Sequence, residues 1–187
     1  YSALGANDKK LLLARALHDE IKAVTDQPVK LVINENGQGH AMLGNNYWIE
    51  QGVPVLAHVE AAAEFEHSMA GAWTALKGYA KENAEGTDPM GPTETFEDER
   101  VITMGDFDIH VMHLGPAHSP GDTQVWLPKH GFMIAGDIAF HERMPPIFEG
   151  TCTSCWIETW ETKFVPLAPT YVIPGHGHPT NLAQVTR

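Results

Sequence analysis

The sequence predicts an α/β layered domain, and three observations carry that expectation. Apolar residues recur at helical spacing through much of the first half. Short β-branched runs separated by Gly and Pro turns dominate the second half. The side chains able to do chemistry fall in turns directly after those runs, as expected when strands and helices alternate in layers. With 187 residues, 43% of them hydrophobic, the chain has material for one core and reads as a single domain over 1–187.

Asn7 and Asp8 can cap a helix from about Lys9 to Val24, in which Leu13, Leu17, Ile21 and Val24 share a face. Pro28 ends it. Val29–Ile33 is a short strand and 34–39 a polar loop. His40–Gln51 reads as a helix, Val53–Ala57 as a strand, and Glu60–Asn83 as a long helix. The stretch 86–95 is rich in Gly, Pro and Thr and reads as a loop. Strands are then expected over Arg100–Met104, Asp108–Leu114, Thr123–Pro128 and Phe132–Ala135, with turns at 105–106 and 129–131. A short helix over Cys155–Phe164 carries Trp156 and Trp160 on one face, and Tyr171–Ile173 is a last strand.

The formal net charge of -12 argues against nucleic acid and anionic membranes as partners, since both require a basic face. No apolar run is long enough to span a bilayer. A small-molecule substrate is the partner this leaves, with self-association open. Cys152 and Cys155 are the two cysteines. A metal knuckle needs two further soft ligands, and a redox pair usually follows a strand. A local disulfide or two unpaired thiols is therefore favoured.

The chemistry-bearing turns are Gly115-Pro-Ala-His118-Ser-Pro-Gly-Asp122, Ala135-Gly-Asp137 and Pro174-Gly-His176-Gly-His178. They deliver His118, Asp137 and His176 from separate loops that can share one edge of the fold. Imidazoles and a carboxylate are the donors preferred by borderline divalent metals such as zinc.

These motifs, in this order and spacing, resemble those of the metallo-β-lactamase superfamily, an αββα sandwich of metal-dependent hydrolases. The stretch Ile21 to Asn34 resembles the helix and strand leading into that family's first metal motif, and Leu43-Gly-Asn-Asn resembles the residues just after that motif. Among its members the chain is most similar to bacterial metallohydrolases that accompany sulfur-oxidation and quinoprotein systems. That implies a bacterial cytoplasmic or periplasmic setting. The resemblance also implies N-terminal strands before Tyr1 and a C-terminal helix after the last motif, neither contained in these residues.

The family's first motif, Thr-His-x-His-x-Asp-His, is degenerate here. The corresponding stretch is Glu35-Asn36-Gly37-Gln38-Gly39-His40-Ala41. Two histidine ligands are replaced by the amides Asn36 and Gln38, which bind zinc poorly. The resemblance implies that His118, Asp137 and His176 are surviving metal ligands and that His40 takes the aspartate's place. One zinc, or iron, held by His40, His118, Asp137 and His176 would make a reduced, mononuclear site with a position for water. His40 and Asp137 are then the catalytic candidates, His40 accepting the proton that the family's aspartate handles. The chemistry expected is attack on an ester, thioester, lactone, lactam or phosphoryl centre.

Two other readings stand beside it: a pseudoenzyme that binds a small molecule or partner without turnover or metal, and a redox protein using Cys152 and Cys155. Glu35 can act as a base, although a solvated loop carboxylate is the plainer expectation. His178 is expected to be exposed or to support His176, and His113 to pack and hydrogen-bond locally. His141 can line a pocket. His58, His67, His110 and His130 have no motif context. Asp122 is expected to satisfy loop amides, and Trp156 and Trp160 to pack before they line a site.

Overall fold

The computed structural model describes residues 12–84, 86–148 and 150–185, so the expected cap at Asn7 or Asp8 lies outside the described residues. The elements run α1 (Leu12–Val24), β1 (Val32–Ile33), α2 (Gly39–Met42), α3 (Asn45–Glu50), β2 (Val55–His58) and α4 (Val59–Ala80). They continue with β3 (Glu94–Phe96), β4 (Glu99–Met104), β5 (Phe107–Met112), β6 (Gln124–Leu127), β7 (Phe132–Phe140), α5 (Thr153–Thr159), β8 (Tyr171–His176) and α6 (Leu182–Val185). Strands β1, β2 and β3 form a parallel sheet. Strands β4 to β8 form a second sheet, antiparallel except that β8 runs parallel to β7.

Side-chain alternation along β2 shows the layering. Val55 joins the cluster of Trp48, Val53, Ala14 and Ile21 beneath α1 and α3, and Ala57 joins Met42, Ala61 and Phe65 beneath α2 and α4. Leu56, between them, points the other way, into Phe96 and Val111 and so into the second sheet. On that sheet's far side Met112, Met133, Ala135 and Val172 pack with Phe164, Trp156 and Trp160. The layers are helices, sheet, sheet and helices in that order: the αββα sandwich.

Three elements differ from the sequence expectation. The helical run expected over His40–Gln51 breaks at Leu43–Gly44, where glycine is a weak helix former. Beyond the break, the Asn45 amide donates to Asn34 Oδ1 at 3.0 Å and to the Met90 carbonyl at 3.1 Å, fixing α3 by tertiary contacts. Within the expected 86–95 loop, Thr93 takes both hydrogen bonds of Val55 and starts β3 beside β2. Strand β7 does not end at Ala135 but continues to Phe140, its pairing with β8 shifting on either side of Gly136. Gly136 has φ +62°, and a Cβ there would lie 2.7 Å from Glu35 Oε2. This irregularity turns Asp137 toward the end of the sheet.

Cys152 and Cys155 form a disulfide. Cys152 is also the N-cap of α5, its sulfur accepting from Cys155 N at 3.3 Å. Past Thr159 the helix widens into a π turn over Trp160–Phe164.

His58, without motif context in the sequence, caps the longest helix. Its Nδ1 accepts from Glu60 N and its Nε2 donates to the Glu97 carbonyl at 2.6 Å, which specifies one neutral tautomer. The ring stacks on His113 at 3.8 Å, and His113 Nδ1 bonds the Asp122 carbonyl. Burial, then the neighbouring His113, holds the His58 pKa below 6.5. An imidazole with a depressed folded-state pKa stabilises above its unfolded value and loses that contribution as pH falls. Folding stability is therefore expected to drop as pH descends below 6.5, and His58→Ala to flatten that slope while costing about 0.5–2 kcal/mol for the lost cap. Urea denaturation at several pH values measures both. Gly136→Ala is expected to cost roughly 1–2 kcal/mol for the left-handed backbone alone. The new methyl also forces Glu35 away, so a thermal melt should show a larger loss than that backbone cost.

Candidate metal centre

Asp137 is the hub of the site. Its side chain is only 1% exposed and sits where β7 passes β8. The close approach depends on Gly175, where a Cβ would lie 2.2 Å from Asp137 Oδ1. Three imidazoles face this carboxylate. His40 Nε2 stands 3.4 Å and His118 Nε2 3.9 Å from Oδ2, and His176 Nε2 stands 3.5 Å from Oδ1. All four residues proposed from sequence are thus brought to one place.

They differ in setting. His40 opens α2 at the rim, with a side chain 45% exposed. His176 ends β8, its ring stacked on Phe140 at 5.2 Å and its Nδ1 facing Arg143 Nη1 at 3.1 Å. His118 is buried, edge-on to Phe148 and Trp156. Thr151 Oγ1 donates to the His118 carbonyl and Trp156 Nε1 to the Ile138 carbonyl. The start of α5 is thereby tied to the His118 loop and to β7 just past Asp137, and Trp156 is core and site wall together.

Two further groups enter from the degenerate motif. Asn36 Nδ2 donates to Asp137 Oδ2 at 3.1 Å. Glu35 is a loop carboxylate 29% exposed, but it also has a partner in the site: its Oε1 is 3.2 Å from His40 Nε2, and its backbone carbonyl accepts from Thr123 N at 2.6 Å. Among the described residues, Glu35, His40 and Asp137 form the only group of three or more whose ligand atoms all lie within 4.8 Å of one another. The sequence carried a weak signal for Glu35, as the first residue of the motif. For Arg143 it carried none.

The charges reinforce one another. Hydrogen bonding to Asp137 first and Glu35 second pushes His40 up to about 10, against the opposing effect of burial. Burial by itself would raise Asp137, but the His40 hydrogen bond and the fields of His40, His118 and His176 hold it below the usual carboxylate range. Burial pushes His118 down. Asp122 lies behind the site, accepting from Ser119 N and Oγ as expected, and burial raises it to about 7.

The donor set fits a divalent metal. Asp137 Oδ1 is buried without a hydrogen-bond partner. Bonds of about 2.1 Å to a tetrahedral zinc put ligand atoms roughly 3.4 Å apart, the spacing at which His40 and His176 approach the Asp137 oxygens. The remaining histidines stand apart. His178 is 84% exposed and pairs with Glu142, while His141 N bonds the His176 carbonyl without facing Asp137. His110 pairs with Glu99 and His130 lies edge-on to Phe107.

Comparison with known proteins agrees with this architecture. The family model described as the metallo-beta-lactamase superfamily matches residues 40–182. The solved metallo-beta-lactamase IND-7 is 17% identical, with a TM-score of 0.72 over 92% of this chain and 72% of that one. A metallo-beta-lactamase from Pontibacter korlensis is also 17% identical, with a TM-score of 0.71 over 92% of this chain and 73% of that one. The DIM-1 metallo-beta-lactamase, in a structure exposed to ceftazidime, is 16% identical, with a TM-score of 0.67 over 92% and 70%. With most of its length matched and its buried carboxylate ringed by imidazoles, this chain belongs to the metallo-beta-lactamase superfamily and is of the metal-dependent, hydrolase-like kind.

Proposed function

We propose that the protein is a hydrolase with a reduced, mononuclear metal site, holding one zinc or iron and acting on an ester, thioester, lactone or lactam. The observation that carries this reading is the convergence of three imidazole nitrogens within 3.9 Å of one buried carboxylate. His40, His118, Asp137 and His176 are the donors. A bound divalent ion supplies Lewis acidity, polarising an acyl group and making water acidic near neutral pH. Asp137, fixed by burial and by the irregular β7–β8 pairing, holds the donors in register. His40 sits at the mouth with Nε2 facing two carboxylates, and that nitrogen serves either as a donor to the ion or, left off it, as the group that holds a proton for a leaving group. Phe148 and Trp156 close the side behind His118.

One observation favours a second reading. Asn36 donates to Asp137, and His40 spans Asp137 and Glu35, so much of the cluster is hydrogen-bonded within itself. A pseudoenzyme that binds a small molecule on this scaffold is the form that reading takes.

Metal analysis of the purified chain after incubation with zinc, followed by assay against esters, thioesters, lactones and lactams, separates the two. The hydrolase reading expects one equivalent of metal, activity lost to chelator and restored by metal, and Asp137→Asn without turnover. Metal content well below one equivalent, together with no hydrolysis across the panel, overturns it in favour of the pseudoenzyme.

A further inference from the structure

We infer that Glu35 is a metal ligand, and that the ion sits among Glu35, His40 and Asp137 with His118 behind it as support. The inference rests on the metal-dependent reading above and changes its donor set. The family match begins at residue 40, so Glu35 lies outside it and no motif position marks it as a ligand.

Four observations support the assignment. The Glu35, His40 and Asp137 ligand atoms are mutually within 4.8 Å, a closeness that neither His118 nor His176 shares with all three. The Glu35 carboxylate occupies a prepared space, because Gly136 has no side chain where a Cβ would fall 2.7 Å from Oε2. Its backbone is fixed by the Thr123 N–H, in the loop beyond His118. Finally, Asp137 Oδ1, on a side chain 1% exposed, has no hydrogen-bond partner, so the buried carboxylate keeps acceptor capacity for an ion on the side that His176 faces, beside the Oδ2 that His40 approaches. His118 is the farthest of the three imidazoles from Asp137, at 3.9 Å, and lies among Phe140, Phe148 and Trp156. Asn36 donates to the same Oδ2 that His118 faces, which sets a neutral amide on that side.

Two carboxylates with one imidazole, and His176 3.5 Å from the other Asp137 oxygen, make a harder donor set than three imidazoles and one carboxylate. Such a set accepts manganese(II) and iron(II) as well as zinc.

The test uses the full chain, stripped of metal and titrated with zinc and with manganese(II) by calorimetry. Glu35→Gln is expected to weaken zinc by at least roughly 10- to 100-fold, the loss typical even of an outer-shell partner. His118→Ala is expected to give the smaller loss of the two. X-ray absorption of the zinc-loaded unmodified protein needs no variant to fold and should count no more than two imidazoles. Three imidazoles, or unchanged affinity in Glu35→Gln with a large loss in His118→Ala, overturns the Glu35 assignment and leaves the hydrolase proposal standing. No zinc or manganese binding by the unmodified chain overturns both.

Discussion

Burial of the Asp137 carboxylate at the irregular pairing of β7 with β8 is the constraint on which the site depends. A carboxylate taken out of water is costly unless positive or hydrogen-donating groups surround it. Here His40, His118 and His176 approach from three directions and Asn36 from a fourth. The backbone accommodates this through two glycines, Gly136 by adopting a left-handed conformation and Gly175 by allowing β8 to approach. The sandwich brings the remaining pieces to the same edge. The first sheet feeds α2 and His40 from one side, and the second feeds Asp137 and His176 from the other.

Much of this was legible in the sequence because it is local. The β-branched runs, the Gly and Pro turns, and the His and Asp residues after them set the second sheet and the placement of His118, Asp137 and His176. The unread parts are tertiary. Strand β3 has three residues just after Gly91-Pro92 and exists because Thr93 completes the edge of β2. The extension of β7 past Ala135 depends on pairing with a strand more than thirty residues away. The helix expected over His40–Gln51 is split where long-range Asn45 hydrogen bonds take over. Glu35 and Arg143 show the same limit within the site. No local pattern states that a loop carboxylate will find space over a glycine a hundred residues on.

The altered first motif changes the electrostatics as much as the ligand count. Amides at 36 and 38 remove two imidazoles, while His40 brings one within 3.4 Å of both Glu35 and Asp137. A neutral donor, Asn36, then occupies part of the coordination capacity of Asp137. The cluster is consequently hydrogen-bonded within itself, unlike a pocket of bare carboxylates, and it can persist as an ordered arrangement in the folded chain.

The segment from His141 to Thr151 is fastened at both ends, by His141 N to the His176 carbonyl and by Thr151 Oγ1 to the His118 carbonyl. Between those anchors Met144, Ile147 and Phe148 are largely exposed. Residues 144–147 can therefore accept substitution without loosening the centre beneath them, whereas Phe148 packs edge-on to His118. A lineage, or an engineer, seeking altered molecular preference would find there the cheapest sequence space to explore.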